Sequence, residues 1–147
     1  MVHFVGAGPG AADLITVRGR NLLEKADIII YAGSLVNKEL LCCARKDCEI
    51  YDSSGMTLEE VIGVIAENAC KETVRLHTGD PSIYGAIREQ IDALDRLGIK
   101  YDVCPGVSSM FGASAAIGAE YTLPGVSQSV IITRMAGRTP VPERESI

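Results

Sequence analysis

The sequence predicts an α/β fold, a mostly parallel sheet flanked by helices. Three observations carry this. Short apolar runs alternate with longer segments of 3.6-residue periodicity in βαβαβα order. The run Asp27-Ile28-Ile29-Ile30-Tyr31 is nearly continuously β-branched, the mark of a strand buried on both faces. Small-residue loops follow three of the predicted strands, and in such sheets ligands lie beyond the strands' carboxyl ends.

The elements follow in order. Val2-His3-Phe4-Val5 reads as the first strand, succeeded by a Gly/Pro loop through Ala12. Asp13 is the expected cap of a helix over residues 14–26, with Leu14, Val17, Leu22 and Leu23 near one face. After the second strand, Asp27 to Tyr31, Ser34 is placed to cap a short helix over residues 35–43, and Glu49-Ile50-Tyr51 reads as a short strand. The clearest helix start is Thr57-Leu58-Glu59-Glu60, because a capping Thr and a Glu three residues on satisfy each other's exposed amides. That helix is expected to end near Lys71, before the strand Thr73-Val74-Arg75-Leu76-His77. A helix over residues 83–97 puts Ile87, Ile91 and Leu94 on one side and stops at Gly98, a good left-handed terminator. Lys100 to Cys104 forms a further strand, cut by Pro105-Gly106. Ser108 opens a small-residue helix through Ala119, and Ser129-Val130-Ile131-Ile132-Thr133 is expected as a final strand.

A length of 147 residues suits one domain. The domain is assigned to residues 1–133. Residues 134–147 read as a polar linker broken by Gly137, Pro140 and Pro142 and leading towards a second domain. No run approaches the ~20 apolar residues that a bilayer-spanning helix requires. The N-terminus has no basic segment ahead of its apolar run, which argues against a signal peptide and for a cytoplasmic place. Fourteen Lys and Arg against nineteen Asp and Glu give a net charge of −5, without the basic excess of a nucleic-acid binder. The five cysteines, Cys42, Cys43, Cys48, Cys70 and Cys104, include no C-x-x-C pair and read as reduced thiols rather than metal ligands.

Three loops compete for the chemistry. Gly6-Ala7-Gly8-Pro9-Gly10-Ala11 formally fits the dinucleotide fingerprint G-x-G-x-x-A. Against that, residues 9–12 prolong the turn instead of opening a helix, and no acid ends the second strand to hold a ribose. A tight turn and the rim of a ligand pocket remain as readings. Thr78-Gly79-Asp80-Pro81 offers amides beside a carboxylate, but Asp before Pro is also a common turn former. Pro105-Gly106-Val107-Ser108-Ser109 places hydroxyls at a helix start, where Ser108 also serves as a plain cap. Together the three describe a cleft at one sheet edge for a small polar ligand. No nucleophile elbow appears, neither His3 nor His77 has an acid partner evident in sequence, and no catalytic residue is assigned. Transfer from an activated donor, which needs orientation more than acid/base help, gains weight accordingly. Asp80 and Asp102 are the carboxylates expected nearest the cleft.

Several segments, taken in order, carry a resemblance. Val5-Gly6-Ala7-Gly8-Pro9-Gly10, Asp13-Leu14-Ile15-Thr16, Thr78-Gly79-Asp80-Pro81-Ser82-Ile83-Tyr84-Gly85 and Pro105-Gly106-Val107-Ser108-Ser109 resemble the tetrapyrrole (corrin/porphyrin) methylases, two-domain enzymes that use S-adenosyl-L-methionine. Tyr31-Ala32-Gly33-Ser34-Leu35-Val36, residues 54–60 and residues 133–143 are similar to the branch that methylates precorrin-4 or cobalt-precorrin-4 at ring carbon 11 in cobalamin synthesis. The resemblance implies that Pro9, Thr78, Gly79, Asp80 and Ile83 bind the donor, with Ser108 and Ser109 closing another side. It implies a polycarboxylate tetrapyrrole acceptor, with Arg134 and Arg138 either meeting its carboxylates or standing as solvated linker residues, and a homodimer in the two-domain enzyme; composition and cysteine spacing point to no metal and no nucleic acid or membrane partner. This chain alone is then expected to bind donor weakly or to be inactive. A different precorrin or uroporphyrinogen methyltransferase, and a non-catalytic nucleotide- or partner-binding domain, are the alternatives.

Overall fold

The computed structural model describes residues 1–135 and 141–145, Ser34 and Glu145 by their backbone only. The chain forms two compact units, Met1–Ala113 and Ser114–Ile147. Gly137, Arg138 and Pro140, from the expected linker, lie outside the described residues.

In the first unit five strands, β1 (Val2–Gly6), β2 (Ile28–Tyr31), β3 (Glu49–Asp52), β4 (Thr73–His77) and β5 (Tyr101–Cys104), form one sheet in the order β3-β2-β4-β1-β5. Every neighbouring pair is parallel, which the α/β reading requires. The helices are α1 (Val17–Lys25), α2 (Leu58–Glu67), α3 (Ile87–Leu97) and α4 (Ser109–Ile117).

Strand alternation builds two cores. Val5, Ile29, Val74 and Leu76 face a cluster completed by Leu23 of α1 and by Leu40. Val2, Phe4, Ile28 and Ile30 face the other cluster, with Val61 and Ile65 of α2 and Leu94 of α3. Ile29 and Ile30 are both fully buried although adjacent, so β2 is covered on both sides as its β-branched run predicts. Burial of each such side chain stabilises the fold by roughly 1.5–3 kcal/mol.

Local chemistry moves several boundaries. The helix expected from residue 14 begins at Val17, capped by Thr16, whose Oγ1 accepts the Gly19 amide at 3.1 Å. Asp13 lies instead in a 3-10 turn, Ala12–Leu14, folded back so far that a Cβ on Gly8 would come within 2.8 Å of the Leu14 carbonyl oxygen. The chain must leave that turn extended at Ile15 before it can coil. The helix expected over residues 35–43 is two 3-10 turns, Gly33–Leu35 and Lys38–Cys43, the second capped by Asn37. Thr57 and Glu60 make the full capping box. Their helix stops at Glu67 because the Asn68 side chain donates to the Val64 carbonyl at 2.9 Å and closes the last turn.

The final strand expected over residues 129–133 is absent: these residues have no regular structure, and Ile131 is 87% exposed. A β-branched run makes a strand only beside a ladder partner, and none pairs with it among the described residues. Among the described residues the second unit holds one antiparallel bridge, Leu123 to Ser127, turning at Gly125 (φ +76). All five cysteines are free, and no described helix is long and apolar enough to cross a membrane.

Candidate functional site

The site arises where connections diverge. β1 leads through α1 to β2 on one side, while its neighbour β4 leads through α3 to β5 on the other. The loops leaving their carboxyl ends part there, the usual place for a ligand in an open parallel sheet.

Glycine lets three loops meet. A Cβ on Gly6 would stand 2.5 Å from both the Gly79 carbonyl oxygen and the Gly106 Cα, and one on Gly106 would collide with the same backbone, so neither the first nor the third loop tolerates a side chain at this junction. Gly8 and Gly79 exchange backbone hydrogen bonds at 3.2 and 2.9 Å. Gly79 holds φ +58, which glycine adopts without strain. Asp80 then ties two loops together, its carboxylate accepting the Gly106 amide at 2.9 Å and the Ser82 amide at 2.8 Å.

Beyond this junction lies a cavity of about 420 Å³, in the range of small-molecule sites. Its lining includes Pro9 from the first loop and Thr78, Gly79, Asp80 and Ile83 from the second. Ser108 and Ser109 come from the third, at the start of α4. All seven residues expected at the donor site therefore converge. Gly8, Leu35 and Tyr84 complete the wall; each lies in a segment on which the resemblance rests, but the sequence reading assigns none of them to the donor site. Asp80 is the one carboxylate among the described residues of this lining, and amides occupy both of its oxygens. What remains is hydroxyl, apolar surface and backbone, a lining that can orient a ligand and offers little proton transfer.

Asp102, expected beside the cleft, does not line the cavity. It is the register partner of His3, two residues before the end of β5. Its carboxylate meets His3 Nδ1 at 2.8 Å, while Glu72 meets Nε2 at 2.8 Å. His3 thus has two acid partners that sequence spacing hides, because sheet register brings them in. His77, at the end of β4, is buried, with Nε2 unpartnered among the described residues. Desolvation, with a smaller push from Arg75, lowers its pKa to about 3, so it is neutral. Arg75 is buried and desolvated as well, which lowers it to about 10. Arg134 belongs to the second unit, and Arg138 lies outside the described residues.

The family model described as tetrapyrrole (corrin/porphyrin) methylases matches residues 1–146. The chain belongs to this family. Among its methylase relatives, the cobalt-precorrin-4 C(11)-methyltransferase of Methanocaldococcus jannaschii is 59% identical, over 99% of this chain and 57% of that protein. The precorrin-4 C(11)-methyltransferase of a Sinorhizobium species is 46% identical, over 99% of this chain and 59% of its own length. A solved structure of a cobalt precorrin-4 methyltransferase of cobalamin biosynthesis superposes with a TM-score of 0.94 at 48% identity, covering 99% of this chain and 62% of that one. The uroporphyrin-III C-methyltransferase of Thermus thermophilus, solved with S-adenosyl homocysteine, gives 0.70 at 29% identity, covering 87% of this chain and 52% of that one. The chain thus spans 57–59% of the length of these curated relatives.

Proposed function

We propose that this chain forms the donor-binding part of an S-adenosyl-L-methionine-dependent methyltransferase acting on ring carbon 11 of precorrin-4 or cobalt-precorrin-4, in cobalamin biosynthesis. The observation that carries the reading is the convergence of Pro9, Thr78, Gly79, Asp80, Ile83, Ser108 and Ser109 on one cavity. The similarity to precorrin-4 C(11)-methyltransferases over nearly the whole chain supports the choice of acceptor. The 0.94 superposition on a cobalt precorrin-4 enzyme, against 0.70 on a uroporphyrin-III enzyme, favours this branch over its neighbour.

The donor, when bound, supplies a methyl on sulfonium sulfur that moves to the ring carbon as S-adenosylhomocysteine leaves. The chain's own part is orientation. Rigid loops on strand ends hold a ligand in one pose, which is where catalysis by proximity originates. Asp80 works through the loops, fixing the distance between Thr78-Gly79 and Gly106-Val107-Ser108. The hydroxyls of Thr78, Ser108 and Ser109 suit the ribose and amino-acid ends of the donor. Arg134 and Arg138 are proposed to meet acceptor carboxylates. Residues 1–133 are the proposed first domain, with residues 134–147 leading to the second; the whole enzyme is a cytoplasmic homodimer in this reading.

Titration with S-adenosylhomocysteine to millimolar concentration, followed by amide chemical shifts, tests the donor site. Shifts at residue 8, residues 78–80, 82–84 and 108–109 are expected, and shifts elsewhere alone would refute it. Methyl transfer from radiolabelled donor, assayed with the second domain present, tests the acceptor. Methylation of an earlier ring intermediate in place of precorrin-4 would overturn the carbon-11 assignment.

A further inference from the structure

The loop over residues 80–86 walls the cavity with Ile83 and Tyr84 and has an unusual backbone. Tyr84 (φ 55) and Ala86 (φ 49) are both left-handed without being glycine, at about 1–2 kcal/mol each. Between them Gly85 presses on Pro81 so closely that any Cβ would collide with the Pro81 carbonyl oxygen. A strained loop keeps its shape only where its surroundings over-determine it.

The restraint comes from α3. Gln90 is buried, its Nε2 donating to the Ala86 carbonyl at 3.1 Å and its Oε1 accepting from Arg75 Nε at 3.2 Å. Arg75, in the middle of β4, donates Nη1 to the Ile30 carbonyl of β2 at 3.1 Å. One amide therefore couples two central strands to the residue where the loop turns into α3. The place needs a group that accepts from a guanidinium on one side and donates to a carbonyl on the other, and the Gln90 amide does both.

We propose that Gln90 is a positioning residue for the cavity: seated on Arg75, it holds the Ala86 carbonyl and so fixes the loop that presents Ile83 and Tyr84 to the ligand. That the ligand is the methyl donor rests on the function proposed above; the restraint on the loop does not.

Gln90→Glu separates positioning from packing. Its carboxylate still accepts from Arg75 and gives that buried cation a counter-charge, but it sets an oxygen against the Ala86 carbonyl and donates nothing. The measurements are thermal unfolding, hydrogen exchange of residues 82–86 relative to the amides of β1, and S-adenosylhomocysteine affinity read to millimolar concentration. Expected are an unfolding midpoint equal to or above that of the unmodified chain, roughly tenfold faster exchange in the loop alone, and several-fold weaker binding, the scale of one lost hydrogen bond. Gln90→Met loses both bonds; it should show the same loop-specific exchange together with a lower midpoint. A side chain that only filled space would move stability and affinity together. Unchanged loop exchange in both variants overturns the proposal, and so does faster exchange with undiminished affinity. Failure of the unmodified chain to bind S-adenosylhomocysteine refutes the donor reading instead, and loop exchange still decides whether Gln90 holds the loop.

Discussion

Asp80 and Gly106 are joined across the mouth of the sheet, the carboxylate of one accepting the amide of the other at 2.9 Å. The bond links the loop after β4 to the loop after β5, and both line the cavity or border its lining residues. Replacing Asp80 by Ala leaves a part-buried amide without its acceptor and should destabilise the chain by about 1–3 kcal/mol. Asp80→Asn keeps one acceptor oxygen and should cost less. Urea unfolding measures both. Equal stability of Asp80→Ala and the unmodified chain would show that the loops hold their spacing by other means.

The glycine junction makes a sharper contrast. A Cβ at Gly106 would lie 2.7 Å from the Gly6 Cα, with only backbone around it, so no side chain can move aside. Gly106→Ala should therefore destabilise by about 3 kcal/mol, at the upper end of overpacking costs, and should open the cavity. Gly63, inside α2, has nothing within 4 Å of the point where a Cβ would stand. There Gly63→Ala should stabilise by about 0.5–1 kcal/mol through helix propensity. Opposite shifts of the two unfolding midpoints are expected, and a neutral Gly106→Ala would contradict the packing described.

The strands are readable because their signal is local. The β-branched Ile28-Ile29-Ile30 run and the apolar Val2-His3-Phe4-Val5 run give two-sided burial directly, and the Thr57/Glu60 pair names its own helix start. Seven cavity residues are likewise accessible through the resemblance of their motifs, since strand ends bring those loops together once the sheet is parallel. What escapes depends on tertiary pairing. The Ser129 to Thr133 run has the composition of a strand but no ladder partner among the described residues. Asp102 has the sequence position of a cleft carboxylate, and only register sets it opposite His3. Tyr84 and Ala86 are left-handed without glycine, and no residue type announces that, so periodicity starts α3 at residue 83 where the chain first coils at Ile87.

His77 makes the fold acid-sensitive. Its pKa falls from an ordinary 6.5 to about 3 on folding because burial disfavours the imidazolium. The folded state thus binds fewer protons than the unfolded one between these values, and stability must fall as pH drops below 6.5. The loss levels off near pH 3, after about 5 kcal/mol at ~1.4 kcal/mol per pKa unit. His77→Leu should flatten the stability profile between about pH 6.5 and 4. At neutral pH it should stabilise by about 1 kcal/mol, since it removes a buried nitrogen that has no partner among the described residues. Chemical denaturation across this range is the check; an unchanged slope would mean that His77 is protonated in the folded chain.

Ala86 offers the last test, through the backbone. At φ 49 its Cβ is strained by about 1–2 kcal/mol, and the residue is exposed, so the methyl contributes little burial in return. Glycine takes this conformation freely but loses more chain entropy on folding, by roughly 0.5–1 kcal/mol. The balance favours Ala86→Gly by up to about 1.5 kcal/mol, while Ala86→Val, β-branched at the same φ, should destabilise. Because the strain sits in the loop that walls the cavity, relieving it should also loosen the loop locally. The glycine variant is therefore expected to unfold at higher denaturant yet exchange its residue 82–85 amides faster. A glycine variant that unfolds earlier would show that the left-handed backbone at Ala86 costs less than the entropy it saves.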